Sequence, residues 1–161
     1  MTESIIVADS GPLIGLAGIG QLELLRRLAE RVVVPGEVWR EVTGNLSAPG
    51  AKVVSEALWM EVESPAAAEI VSLTMLVDRG EAEAIALAVR HTSSVLLLDD
   101  ARARRVAEHM KLRRMGTVGL LRRAKQQGLI DRLRPQLEAL VANGIFIRQA
   151  LIDAVLKDVG E

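Results

Sequence analysis

The sequence has no cysteine and no tyrosine, and its aromatic side chains are limited to two tryptophans and one phenylalanine. The absence of cysteine excludes a disulfide framework and any metal site built on thiolates, and it is compatible with a reducing cytosol. The scarcity of aromatic rings argues against a platform on which single-stranded nucleic acid stacks its bases. His91 and His109 are the only histidines.

A secretory signal and a long apolar run are also missing. The amino terminus has no basic segment followed by an apolar stretch and a cleavage site, and the uncharged run from Ser10 to Leu22 is too short and too rich in glycine to span a bilayer. We therefore expect a soluble, cytoplasmic protein with no membrane partner. A chain of 161 residues with 50% hydrophobic content suffices for one compact domain over residues 1–161.

Charge is unevenly distributed, although the net charge is only −1. Residues 1–100 carry 7 Lys/Arg against 15 Asp/Glu, whereas residues 102–125 carry 9 Lys/Arg against Glu108 alone. The basic residues are Arg102, Arg104, Arg105, Lys111, Arg113, Arg114, Arg122, Arg123 and Lys125. This segment suits a phosphate backbone, but an arginine-rich helix face is equally compatible with simple solvation.

Short apolar runs that end at turn residues predict three buried parallel strands, at Ile5–Ala8, Val32–Val34 and Val95–Leu98. A further short strand is predicted near Arg113–Met115. Helical periodicity marks Leu22–Ala29, Pro35–Val42, Glu81–Arg90, Ala101–Met110 and Val118–Gln126, followed by two closing helices within residues 131–159. This alternation predicts an α/β fold with three α/β/α layers around a central parallel sheet.

Acidic residues occur where unpaired carboxylates are costly. Asp9 and the pair Asp99-Asp100 directly follow predicted strands, and the carboxyl ends of parallel strands share one edge of a sheet. Glu41 and Glu81 lie on otherwise apolar helix faces, where an isolated charge must be neutralised, paired or bound to a metal. Oxygen ligands favour Mg²⁺ or Mn²⁺, so this set predicts a divalent-metal site.

Each acid also has a structural interpretation. Asp9 and Asp100 are suited to cap the helices that follow them, and Glu41 and Glu81 are candidates for ion pairs with Arg26 or Arg105. We expect Glu37 to serve only as a helix-start residue. We expect Glu83 to share a helix face with Arg79 and Arg90, away from the apolar face that carries Glu81.

Six segments together resemble the PIN-domain nucleases, in particular a PIN-like group related to the VapC-type toxins of prokaryotic toxin–antitoxin systems. They are Val7–Ser10, Val34–Val42, Gly80–Ala88, Leu96–Asp100 with Ala103-Arg104, Gly116–Leu121 and Ala124–Ile130. The resemblance covers nearly the whole chain and implies a PIN-like fold with carboxy-terminal helices packed on it.

The resemblance also implies a Mg²⁺ or Mn²⁺ site in which four acids are catalytic and bind the metal. These are Asp9, Glu41, Glu81 and one of Asp99 or Asp100. Many VapC-type proteins have Thr-x-Asp at the last position, whereas here Leu98 takes the place of the threonine if Asp100 is the ligand. We favour Asp100, with Asp99 as a second ligand or as the polar group that replaces the missing hydroxyl.

The function implied is metal-dependent hydrolysis of RNA phosphodiester bonds, as in the toxin of a type II toxin–antitoxin pair. Ser10, Arg102 and Arg105 are the expected substrate contacts, and a small antitoxin and a second copy of the chain are the expected protein partners. The alternative is an inactive PIN-like module that binds nucleic acid or protein. A phosphoacceptor receiver domain would need paired acids after the first strand, and Gly15, Gly18 and Gly20 lack the spacing of a dinucleotide-binding loop.

Overall fold

The computed structural model describes residues 2–161, and its centre is a five-stranded sheet in which all neighbouring strands are parallel. The strands are β1 (Glu3–Ala8), β2 (Ala29–Pro35), β3 (Met60–Glu63), β4 (Ser94–Leu97) and β5 (Arg114–Met115). Their order across the sheet is β3-β2-β1-β4-β5. Because β1 is central, the residue that follows it lies in the middle of the edge where the strands end.

Helices connect the strands and follow the last one. They are α1 (Ser10–Gly18), α2 (Leu24–Leu28), α3 (Gly36–Thr43), α4 (Ala51–Glu56), α5 (Ala67–Ile70), α6 (Arg79–Arg90), α7 (Ala101–His109), α8 (Thr117–Gln126), α9 (Arg134–Ala142) and α10 (Gln149–Asp158). A 3₁₀ turn covers Leu73–Met75. None of the helices within residues 2–161 is long and apolar enough to cross a membrane.

Side chains alternate between the two faces of the sheet and build a separate core on each. Ile6 and Val34 face a core that includes residues of α1, α2, α3, α8, α9 and α10. Val7 and Leu96 face the opposite core, to which α6 and α7 contribute. The predicted three-layer α/β/α arrangement with a central parallel sheet is therefore confirmed.

The carboxy-terminal helices pack on the first of these cores. Leu137 and Leu140 of α9 and Val155 and Leu156 of α10 are buried there, whereas Leu151 keeps 45% of its surface exposed. Both helices therefore contribute buried side chains to this core.

Several elements were not predicted from the sequence. The helix α1 contains three glycines and a proline and has no polar face, so periodicity did not reveal it. The strand β3 is a charged edge strand, and α4 and α5 are short. The predicted helix ending at Ala29 was too long, because Ala29 begins β2 and pairs with Glu3 of β1.

Candidate metal centre

Asp9 lies at the centre of the candidate site, directly after the middle strand. Its backbone N–H continues the ladder by donating to the Leu97 carbonyl over 3.0 Å, and only 6% of the residue is exposed. Burial raises the pKa of Asp9 to about 7. The negative charges of Glu81, Asp78 and Glu41 act in the same direction, while the Ser10 backbone N–H favours the charged form. Asp9 occupies the capping position of α1 without a side-chain capping bond.

Glu41 reaches the same region because α3 and α6 approach each other closely at Gly80. A Cβ atom at Gly80 would lie 3.1 and 3.4 Å from the two carboxylate oxygens of Glu41, and 3.3 Å from Cγ2 of Val38. Burial raises the pKa of Glu41, and the charges of Asp78, Glu37 and Glu83 raise it further, against a hydrogen bond from the Ser10 hydroxyl. Ser10, expected to touch substrate, thus contacts Glu41.

Glu81 shares the start of α6 with Asp78, a residue that sequence reasoning missed. The Glu81 N–H donates to Asp78 Oδ1 over 2.8 Å, and the Asp78 N–H donates to Glu81 Oε2 over 3.1 Å. This reciprocal pair is a capping box, and its acid-x-x-Glu pattern before an apolar run was the signal available in the sequence. Burial raises the pKa of Glu81, and Asp78, Asp100 and Glu41 add to the rise against the bond from Asp78.

Asp100 and its neighbour Asp99 point to different partners. Asp100 Oδ1 accepts from the Ala103 N–H over 2.9 Å and so caps α7, yet its charge still acts on Glu81. Asp99 accepts from the Thr117 N–H over 2.8 Å and from the Thr117 hydroxyl over 2.6 Å. The structure therefore brings Asp100 to the other acids and attaches Asp99 to the start of α8.

We define the acidic cluster as Asp9 and Glu81 together with the acids whose charges act on either of them, namely Glu41, Asp78 and Asp100. Within residues 2–161 none of them forms an ion pair with a basic side chain. The alternative that Arg26 or Arg105 neutralises Glu41 or Glu81 is therefore wrong. Arg26 instead pairs with Glu23.

The acidic cluster fits a hard divalent cation by its chemistry. Its donors are all carboxylate oxygens, and their mutual repulsion is the property that a bound cation relieves. No group of three or more acids or histidines in the described part of the chain is already arranged as a ligand set. The side chains would therefore have to draw closer together around an ion.

Glu83 differs from the prediction. It is 3% exposed, and its carboxylate accepts from the Glu37 N–H over 3.1 Å and from Arg79 Nε over 3.3 Å. The expected face shared with Arg79 is present, but that face is covered by α3, so Glu83 joins α6 to the first turn of the helix that carries Glu41. Glu37 pairs with Arg40 over 2.8 Å.

Most of the basic segment serves the fold itself. Five of its nine cations form ion pairs with Glu3, Glu108, Asp158 or Glu161, namely Arg113, Arg114, Arg122, Arg123 and Lys125. Arg104 donates to the Leu98 carbonyl over 3.0 Å. Arg102 and Arg105 are exposed on α7 beyond Asp100 and form no ion pair within residues 2–161. Fewer residues of the basic segment are therefore available to contact phosphate than the sequence suggested.

Comparison with known proteins identifies the family. A family model described as PIN domain matches residues 5–161, which is nearly the whole chain. No curated protein matches the chain significantly. PIN domains are a nuclease-type fold and typically use divalent metals, in agreement with the chemistry of the acidic cluster. The chain belongs to the PIN domain family.

Proposed function

We propose that this protein is a ribonuclease that hydrolyses RNA phosphodiester bonds with Mg²⁺ or Mn²⁺ at the acidic cluster. One observation carries the proposal: five carboxylates act on one another by charge near the carboxyl ends of β1 and β4, and no basic side chain among residues 2–161 forms an ion pair with them. Keeping like charges together costs stability, so their retention is best explained by a cation that they bind.

The proposed metal ligands are Asp9, Glu41, Glu81 and Asp100. Asp78 is a further candidate ligand, because its charge acts on Asp9 and Glu81. A bound divalent ion would lower the pKa of a water molecule and offset the charge that develops on the phosphate. The chain contributes the orientation of its own groups: Ser10 donates to Glu41, and the close approach at Gly80 holds Glu41 over the start of α6. Asp9, which is buried, is the ligand least accessible to water.

Two conservative substitutions test the proposal without disturbing the helix caps. Asparagine at position 100 and glutamine at position 81 keep an oxygen that accepts from the same backbone N–H, but they remove the negative charge. We expect Asp100→Asn and Glu81→Gln each to lower the rate of RNA cleavage by about 100-fold or more. The free energy of unfolding should change by less than about 1 kcal/mol.

The assay measures cleavage of mixed RNA and single-stranded DNA with Mg²⁺, with Mn²⁺ and with EDTA. Glu69→Gln is the matched control, because Glu69 also accepts from a backbone N–H three residues earlier, that of Ala66 over 2.9 Å, and lies outside the acidic cluster. Cleavage that persists in EDTA, or that survives both site substitutions, would contradict the proposal.

Arg102 and Arg105 are the proposed phosphate contacts, because they are exposed next to Asp100 and lack an ion-pair partner within residues 2–161. RNA binding measured in the Asp9→Asn protein should weaken as salt rises. Removing either arginine should reduce the slope of log K against log salt by about 0.7. Arg27→Ala, which changes an exposed arginine of α2, is the control. An equal slope in all four proteins would show that neither Arg102 nor Arg105 contacts the RNA.

The proposal extends to biological role and assembly. A toxin function, a small antitoxin and a homodimer follow from the resemblance to VapC-type proteins. Leu46, Met75 and Phe146 are exposed apolar side chains that a protein partner could cover. Sedimentation equilibrium tests the assembly, and a monomer mass at micromolar concentration would contradict the homodimer.

The alternative is a PIN-like module that binds nucleic acid or protein without cutting. The same cleavage assay separates the two functions. RNA binding by a folded protein that binds Mn²⁺ but cuts neither substrate would favour the binding module.

A further inference from the structure

The turn between β4 and α7 is attached to the start of α8 by a compact set of hydrogen bonds. Asp99 accepts from both the N–H and the hydroxyl of Thr117, at 2.8 and 2.6 Å. Thr117 is only 4% exposed, so the donor side of these bonds is buried, whereas Asp99 itself is exposed. A hydroxyl that donates to a carboxylate over this distance makes a strong, charge-assisted hydrogen bond.

Two further contacts close the same turn. The Arg104 guanidinium donates to the Leu98 carbonyl over 3.0 Å, and the Leu98 N–H donates to the Met115 carbonyl over 2.9 Å. A Cβ atom at Gly116 would lie 3.0 Å from Asp99 Oδ1 and 2.9 Å from Arg104 Nη1. A side chain at position 116 would therefore have to displace the ends of these two side chains.

Asp100 directly follows Asp99, the residue that is bound to Thr117. The direction of its carboxylate is set on one side by the bond to the Ala103 N–H and on the other by the backbone of Asp99. Each oxygen of Asp99 accepts a hydrogen bond from Thr117, so the Asp99 carboxylate is held at the start of α8.

We propose that Asp99 is a positioning residue, which holds Asp100 toward Glu81 by binding Thr117, and that it is not itself a metal ligand. This inference rests on the proposed function, since it assigns a role to Asp99 in the same metal site. On this proposal Asp100, and not Asp99, is the metal ligand. Thr117 affects metal binding indirectly, through its hydrogen bonds to Asp99.

Four substitutions at two positions distinguish a positioning residue from a ligand. Asp99→Asn keeps the contacts, because its amide oxygen accepts from the Thr117 N–H and its NH₂ group donates to the hydroxyl. Asp99→Ala removes both contacts, Thr117→Val removes the bond from the hydroxyl, and Thr117→Ser restores it. Mn²⁺ affinity is measured by electron paramagnetic resonance of the free ion, and thermal stability is measured in parallel.

For a positioning residue, Asp99→Ala should weaken Mn²⁺ binding by about tenfold and Thr117→Val by a smaller factor. Asp99→Asn and Thr117→Ser should stay within about twofold of the wild type, and the Asp99→Ala, Thr117→Val double variant should match Asp99→Ala alone. A loss in Asp99→Asn equal to that in Asp99→Ala, with Thr117→Val unaffected, would make Asp99 a ligand. Lower thermal stability of Asp99→Ala with unchanged Mn²⁺ affinity would show that Asp99 only stabilises the start of α8 and has no effect on metal binding.

The role of Thr117 in holding this turn can be tested even if the protein binds no metal. A wild-type protein that binds no Mn²⁺ would refute the metal site, and ¹⁵N relaxation of residues 98–101 would then decide the structural part alone. Thr117→Val should increase the mobility of this turn and Thr117→Ser should not. Equal mobility in all proteins would overturn the role of Thr117.

Discussion

Replacement of Asp9 by asparagine is expected to abolish metal-dependent RNA cleavage, with kcat/KM falling by a factor on the order of 10³. Asp9 is the most buried member of the acidic cluster, and its charge interacts with those of Glu41, Asp78 and Glu81. Asparagine has nearly the same shape and can still accept from the Ser10 N–H, but it carries no charge to bind a cation. The fold should therefore persist while the activity is lost.

The measurement is a comparison of initial cleavage rates at several Mg²⁺ concentrations, with circular dichroism to establish that both proteins are folded. The exposed Asp131 provides a control, and Asp131→Asn should cut RNA at the wild-type rate. Wild-type rates in a folded Asp9→Asn protein would remove Asp9 from the catalytic site.

In metal-free buffer the same substitution should stabilise the protein, and the gain should grow with pH. Burial raises the pKa of Asp9 from 3.8 to about 7. Between these values the folded state binds more protons than the unfolded state, so the wild type loses stability as pH rises. Asparagine does not titrate, so the difference in unfolding free energy between Asp9→Asn and wild type should increase by about 2–3 kcal/mol from pH 5 to pH 8.

Urea unfolding in EDTA at the two pH values measures this difference, again with Asp131→Asn as the control. Addition of Mg²⁺ at pH 8 should stabilise the wild type and leave Asp9→Asn unchanged, because only a protein that binds the ion is stabilised by it. A difference between Asp9→Asn and wild type that is the same at pH 5 and pH 8 would show that Asp9 has an ordinary pKa in the fold.

These two results have the same physical origin. In the metal-free protein the acidic cluster costs stability because Asp9 is buried and the carboxylates repel one another, and a bound cation would remove that cost. Relief of the repulsion that destabilises the metal-free fold at high pH would therefore favour binding of the cation. Glu41 and Glu81, whose pKa values are also raised, contribute in the same direction.

The sequence by itself determined the class of fold and the edge of the sheet at which Asp9 and Asp100 lie. Apolar runs such as those of β1 and β4 can be buried only between two layers of helices, and parallel strands carry their following residues to one edge. Asp9 and Asp100 were placed beside each other on that ground alone. Glu41 and Glu81 followed from their apolar helix faces and from the family resemblance.

Only the tertiary structure decided which residues each acid contacts. Glu83 looked exposed from its helix alone, but it is buried because the amide of Glu37, on another helix, lies against it. Asp99 and Asp100 are neighbours of the same chemical type, but Asp99 accepts from Thr117 of α8 whereas Asp100 accepts from Ala103 of α7. Hydrogen bonds between residues distant in the chain make these distinctions. Periodicity reports only which face of an element is apolar, so it cannot predict them.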